Sequence, residues 1–309
     1  MGAIALLASC GGAGIETAPA EVAAALEPSD LLRQHVDFLA TGPEPRDWTH
    51  PAGLERAADY IAAQLDTCGG RVTDQDFVED GRTYRNVCAS FGPESGERIV
   101  VGAHYDVCDE LPGADDNASG VAVLIEVGRA LGSLELAGPV DLVAYALEEP
   151  PFFGSESMGS AWHARELSSR GAEVRAMICL EMVGYYSDEP GSQDYPLDAM
   201  KLLYPTVGNF IAVVGREADR EVVDWVHSAM DGREDLPAVK LLAPASMVGM
   251  DFSDHRNYWA AGYPAVMVTD TAFYRNPNYH GEGDTPGTLD YGRMALVAGG
   301  VVKAVRSRE

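Results

Sequence analysis

The sequence predicts a three-layer α/β sandwich, a central mixed, mostly parallel twisted β-sheet flanked by helices. Three observations carry that expectation. From residue 98 onward, short and almost continuously apolar runs (RIVVGAHYD, VDLVAYALEE, VRAMICLEMVG, NFIAVVG, PAVMVTD) read as strands buried on both faces. Helical stretches alternate with them, the order that produces a parallel sheet covered on each side. At 309 residues and 46% hydrophobic content, the chain is also long enough to enclose a large core.

In chain order, MGAIALLASC is a short apolar run ending in Leu7-Ala8-Ser9-Cys10, which resembles a bacterial lipoprotein cleavage box with Cys10 as the lipidated residue. The Lys or Arg that ordinarily precedes such a run is missing. The expectation is an exported protein, periplasmic or anchored to a membrane through Cys10, with residues 11–28 as a tether. No later stretch reaches the roughly 18 uninterrupted apolar residues of a transmembrane helix. Ser29 or Asp30 is expected to cap a helix with Leu32, Val36 and Leu39 on one face. After Pro43, Pro45 and Pro51, a second helix carries Leu54, Ala58, Ile61 and Leu65 on one stripe and stops at Gly69-Gly70. RVTDQDFV and YRNVCASF then read as two strands joined by a Gly-containing turn. Within the alternating region, helices are expected from Ser119 and near 160–170. The Gly/Pro/Asp-rich stretch 187–206 reads as a long loop, a kind of segment that often carries function. With no internal repeat and no second boundary, residues 29–309 are expected to form one domain.

The formal net charge is −26, from 48 acids against 22 bases, and no basic stripe interrupts it. Nucleic acid is excluded as a partner, because its recognition needs a positive footprint. Cys68, Cys88, Cys108 and Cys179 show neither a CxxC pair nor regular spacing, so they form no zinc ribbon and no disulfide framework. Cys88 and Cys179 fall in strands and read as small buried hydrophobes.

In an open α/β sheet, ligands collect at the carboxyl ends of the strands. His104 and Asp106 end one strand here, Glu148 and Glu149 the next, and Glu181 a third. Asp115 follows the first of these in GADDNASGV, and Tyr279-His280 lies in a Pro/Asn/Gly loop far downstream. Histidine nitrogens and carboxylate oxygens converging in this way are the ligand set of catalytic zinc. A carboxylate between two divalent ions also explains why two acids stand side by side, since the ions reverse the usual repulsion. The expected centre has Asp115 as bridge, His104 and Glu181 on one ion, Glu149 and His280 on the other, and a shared water or hydroxide between ions roughly 3.5–4 Å apart. Glu148 is left over as general base. Asp106 is expected to accept the other ring N–H of His104. His255, in SDHRNYW, reads as an alternative ligand or, with Asp254, as support for the site. Gly154-Ser155-Glu156-Ser157 lacks the GxSxG elbow of serine hydrolases.

In order and spacing, GAHYD, PGADDNASGV, ALEEPPFFGSESMGS, LEMVGY, SDHRNYWAAGYPAVMVTDTA and YHGEGDTPGTLDY resemble the co-catalytic di-zinc aminopeptidases of metallopeptidase family twenty-eight. The resemblance covers about residues 30–305. It implies the zinc-exopeptidase, phosphorylase/hydrolase-like fold, two zinc ions per chain, and a peptide substrate with a free N-terminus. The ligands it implies are His104, Asp115 as bridge, Glu149, Glu181 and His280, with Glu148 as base. It further implies a cis peptide between Asp115 and Asp116, with Asp116 holding its neighbour in the bridging pose, and Tyr279 as the group that stabilises the oxyanion. Two departures stand out. Many relatives have Asp where this chain has Glu181. The EEPPFF run is also similar to the glutaminyl cyclases of the same superfamily, which use one zinc, carry Trp in place of Tyr279 and lack the full PGADDNASG block. Glutaminyl-peptide cyclotransferase is therefore the alternative activity, and a non-catalytic, receptor-like relative is a third reading, opposed by the intact ligand set.

Overall fold

The computed structural model describes residues 27–307; the Cys10 box and the tether up to residue 26 lie outside them. Helix α1 (Pro28–Ala40) buries Leu32, Val36 and Leu39, the face read from the sequence. It begins earlier than expected: Glu27 is the cap, and Ser29 and Asp30 lie inside the first turn. Proline decides this, because its locked φ and missing N–H suit the first helical position. Helix α2 (Pro51–Thr67) follows and buries Leu54, Ala58, Ile61 and Leu65.

Strands β1 (Arg71–Glu79) and β2 (Arg82–Phe91) form a hairpin, and β3 (Arg98–His104) opens the alternating region. After it come α3 (Gly120–Leu131), β4 (Val140–Tyr145), α4 (Gly159–Ser169), β5 (Val174–Glu181), β6 (Ile211–Gly215), α5 (Arg220–Met230), β7 (Ala238–Leu242), α6 (His255–Ala260), β8 (Ala265–Thr269) and α7 (Tyr291–Arg306). The sheet runs β1-β2-β4-β3-β5-β8-β6-β7. Its centre, β4-β3-β5-β8, is parallel, as is β6-β7, while β1-β2, β2-β4 and β8-β6 pair antiparallel.

Alternate residues of one strand face different layers, as the two-residue period of a strand requires. Ile99, Val101 and Ala103 of β3 join the core under α1, α2, α3, α5 and α7, whereas Val100 joins the core under α4 and α6. Both faces are therefore sealed and only the strand ends are open for chemistry. Helices α5, α6 and α7 and strand β7 are the elements that sequence patterning leaves unassigned. Helix α7 carries Gly299-Gly300 at its middle, a poor local helix signal. Tertiary packing explains it, since a Cβ on Gly300 would come within 3.0 Å of the Met230 side chain on α5. Among the described residues Cys68, Cys88, Cys108 and Cys179 are free thiols, and no helix is long and apolar enough to cross a membrane.

Candidate metal centre

The carboxyl ends of the parallel strands bring together six side chains. His104, the last residue of β3, places Nε2 3.3 Å from Asp116 Oδ1, 3.4 Å from Glu181 Oε2 at the end of β5, and 3.9 Å from Glu148 Oε2. On the opposite side, His280 Nε2 lies 3.2 Å from Asp116 Oδ2 and 3.3 Å from Glu149 Oε2. One carboxylate thus stands between two histidines, each with its own further acid. Glu148 and Glu149 follow β4 through Leu147, Met182 follows Glu181, and His280 ends the tyrosine-histidine pair. Leu147, Met182 and His280 all have positive φ (60°, 46° and 50°). Side chains other than glycine rarely adopt that conformation, and it concentrates at functional sites.

The carboxylate between the two histidines is that of Asp116 and not that of Asp115, the acid expected to bridge. Asp115 leaves the backbone the other way: its Oδ1 accepts the Gly184 N–H at 2.9 Å and its Oδ2 the Asn276 amide at 2.8 Å. Those partners, together with Asp270 beside it, occupy the carboxyl that was expected to bridge. The cis peptide also falls one bond later, between Asp116 and Asn117. Asp284 fixes both acids by accepting the backbone N–H of Asp115 at 2.8 Å and of Asp116 at 3.0 Å. Asn117 ties the same loop to β5: its amide donates to the Leu180 carbonyl at 2.8 Å, and its oxygen accepts the N–H groups of Gly120 and Met182, each at 3.1 Å.

So many acids in a buried place hold protons unless cations take their place. Burial, with Asp116 alongside, pushes Glu149 up to about 7, although His280 pulls the other way. Glu148 is raised well above the ordinary range by burial and by Glu149 and Glu181, against the pull of His104. Asp116 behaves oppositely: burial would raise it, but hydrogen bonds from His104 and His280 hold it below the usual carboxylate range. Burial would likewise lower His280, yet Asp116 and Glu149 hold it up at about 10. Glu149 Oε1 is enclosed without a hydrogen-bond partner. Ligating atoms of His104, Asp116 and Glu149 lie within 4.8 Å of one another. A nitrogen-and-carboxylate donor set with an orphaned buried oxygen fits divalent cations of the zinc type.

A family model described as peptidase family M28 matches residues 86–305 of the chain. The chain belongs to peptidase family M28. It is 48% identical over 281 residues to YfbL, an uncharacterized protein of Escherichia coli K12, covering 88% of this chain and 86% of that protein. It is 25% identical to a probable leucine aminopeptidase of Trichophyton verrucosum, covering 82% of this chain and 63% of that protein, so the chain spans less than two thirds of this fungal relative. Among solved structures, LapB of Legionella pneumophila superposes with a TM-score of 0.71 at 22% identity, covering 91% of this chain and 72% of that one. A glutaminyl cyclase of Bacteroides thetaiotaomicron superposes at 0.69 and 20% identity, covering 91% and 98%. The M28 fold is common to both.

Around this M28 centre the remaining residues take distinct places. Asp106 stands at the second nitrogen of His104, as expected, with His104 Nδ1 3.5 Å from Asp106 Oδ1, a long contact. Its shorter bonds are to backbone: Oδ1 accepts the Glu148 N–H at 3.1 Å and Oδ2 the Glu149 N–H at 3.0 Å. Asp106 therefore sets the turn that presents both glutamates. Tyr279 stacks on the His280 ring, centroids 3.9 Å apart, and lines the cleft with Glu148 and Glu149. His255 is not brought to the ligands: its Nε2 pairs with the Met250 carbonyl at 2.8 Å, and burial lowers it to about 4. Asp254 is fully buried, and burial pushes it up to about 7. Four contributors escaped the sequence reading. Asp284, Asn117 and Ser253, whose hydroxyl donates to Glu181 Oε2 at 2.6 Å, lie inside the matched motifs, where they read only as neighbours of ligands. Cys108 lies beside Glu149 and His280, and nothing in its local sequence marks it.

Proposed function

We propose that the protein is a zinc-dependent aminopeptidase that removes N-terminal residues from peptides, with two ions per chain. The observation that carries this reading is the Asp116 carboxylate set between His104 and His280, with Glu181 on one side and Glu149 on the other. Zinc bound by these residues would supply Lewis-acid polarisation of the scissile carbonyl and acidify a water. The chain's own groups do the rest. Glu148, facing the cleft, takes the proton of the attacking water and passes it to the leaving amine, and its burial makes it a stronger base than a solvated carboxylate. Tyr279 donates its hydroxyl to the developing oxyanion. The acids lining the cleft attract the free α-ammonium of the substrate.

Next to Glu181 and Tyr279 an apolar recess is lined by Met200, Tyr204, Phe210, Met247, Met250 and Met267, which supports an apolar first side chain. Phe153 lines the cleft beside the acids, and Tyr186 packs against the core. The name of the fungal relative supports the same class of activity. Export with lipidation at Cys10 belongs to the proposal and is supported by the Leu7-Ala8-Ser9-Cys10 run.

The second reading, glutaminyl-peptide cyclotransferase, is favoured by the EEPPFF run. Mass spectrometry of peptides with free, N-acetylated and N-terminal-glutamine ends, incubated with zinc-loaded protein, separates the two. Loss of one residue from free ends alone is the expected result. Loss of ammonia from the glutamine peptide alone would replace the aminopeptidase reading with the cyclase.

A further inference from the structure

Cys108 leaves β3 four residues after His104, in the loop that runs to Gly113, and is half-buried. Its Sγ, one carboxylate oxygen of Glu149 and one ring nitrogen of His280 all lie within 4.8 Å of one another. Ligands of one tetrahedral zinc, with bonds of about 2.0–2.3 Å, sit roughly 3.5 Å apart, so a small closure would bring these three onto one ion. A second observation points the same way. Glu149 is 4% exposed, and its Oε1 is enclosed with no hydrogen-bond partner. Cys108, Glu149, His280 and Asp116 line one small recess, while His104 and Glu181 lie outside it. The sulfur is therefore in reach of one half of the centre only.

We infer that Cys108 is a ligand of the ion held by Asp116, Glu149 and His280, which gives this half of the centre a sulfur donor that the half held by His104 and Glu181 lacks. The inference rests on the two-ion reading above. On coordination the thiol gives up its proton to solvent and the S–metal bond forms; no oxidant or reductant is involved. The two halves then differ in kind. Thiolate favours soft and borderline ions, so the Cys108 half selects zinc, cobalt or cadmium over manganese or magnesium, whereas the other half offers only nitrogen and oxygen.

Cobalt(II) tests this on the full chain. Metal-free protein titrated with two equivalents of cobalt is expected to show visible ligand-field bands together with a near-ultraviolet thiolate-to-cobalt charge-transfer band. In Cys108→Ser the charge-transfer band is lost, the ligand-field bands persist, and one of the two equivalents binds about ten- to a hundredfold more weakly. Because a serine variant can fail to fold, the wild-type chain provides a second readout. Zinc should slow alkylation of Cys108 at least about tenfold, measured peptide by peptide, and leave the rate at Cys68 unchanged. Two bound equivalents without the charge-transfer band, or with a band that survives in Cys108→Ser, overturn the sulfur ligand and leave the two-ion reading standing. Failure to bind a second equivalent overturns both.

Discussion

Asp115 and Asp116 are adjacent and chemically identical, yet their environments give them opposite character. Asp116 faces two histidines and stays ionised; Asp115 is buried against Asp270 and is raised well above the ordinary carboxylate range. Asp115→Asn leaves both histidines and the acids facing them in place, so metal content should stay near wild type. Asp116→Asn removes the one acid among the described residues that touches both histidines and should lose both ions. Metal analysis by inductively coupled plasma spectrometry decides between them, and the reverse pattern would return the bridge to Asp115. Glu148→Gln keeps shape and ligands but removes the proton acceptor. Turnover should fall by about 10²–10⁴-fold at unchanged metal content; wild-type turnover would dismiss Glu148 as the base.

At the scale of elements, the centre depends on how α3 starts against β5. In most helices Gly→Ala stabilises by about 1 kcal/mol. At Gly120 the added Cβ would stand 2.4 Å from Asn117 Oδ1 and 2.8 Å from the Leu180 carbonyl. Backbone on one side and a triply bonded asparagine on the other leave no room to yield, so overpacking, at about 1–3 kcal/mol, outweighs the helix gain. Gly120→Ala should therefore lower the urea midpoint and weaken metal binding together, because Asn117 staples the Asp116 loop to β5. A variant more stable than wild type would show that the loop has slack which these contacts deny.

For the whole molecule, the concentration of buried acids sets a pH dependence for the metal-free protein. Glu149, Asp254 and Asp284 are each pushed up to about 7, from ordinary values of 4.5, 3.8 and 3.8. Burial is the main cause for all three. An acid with a raised native value binds more protons folded than unfolded, so its cost is absent below pH 4 and complete above about 7. His280, held at about 10 against an ordinary 6.5, contributes stability that is complete below 6.5 and disappears as pH rises through 10. Asp116 works in the other sense, but only below pH 4, where its native and ordinary values part. The melting temperature in chelator should therefore fall from about pH 4 to pH 10. Zinc should restore more of it at pH 8 than at pH 5, since ions compete with protons for the same oxygens. Repeating the scan at high salt separates the centre from the diffuse repulsion of a −26 chain. A flat profile in chelator would mean that the buried acids are compensated by other groups.

Much of this molecule is legible along the chain because the determining forces are local. The apolar runs of β3, β4, β5 and β8 announce strands sealed on both faces, and the polar residues that end them mark the edge where ligands gather. His104, Glu148, Glu149 and Glu181 can be named from that alone, and His280 from the loop that follows β8. Which of two neighbouring aspartates turns inward cannot, because it depends on Asn276, Gly184 and Asp284, 69 to 169 residues away in the chain. The same holds for α7, whose paired glycines make sense only against Met230, and for Cys108, which acquires chemistry only once Glu149 and His280 stand beside it. Periodicity and strand-end placement are properties of consecutive residues, so the layers, the edge and the kinds of donor can be read along the chain. Side-chain direction is settled by hydrogen bonds from distant loops, so which aspartate faces the two histidines, how the turn presents the two glutamates and what surrounds the thiol emerge only when the chain is folded.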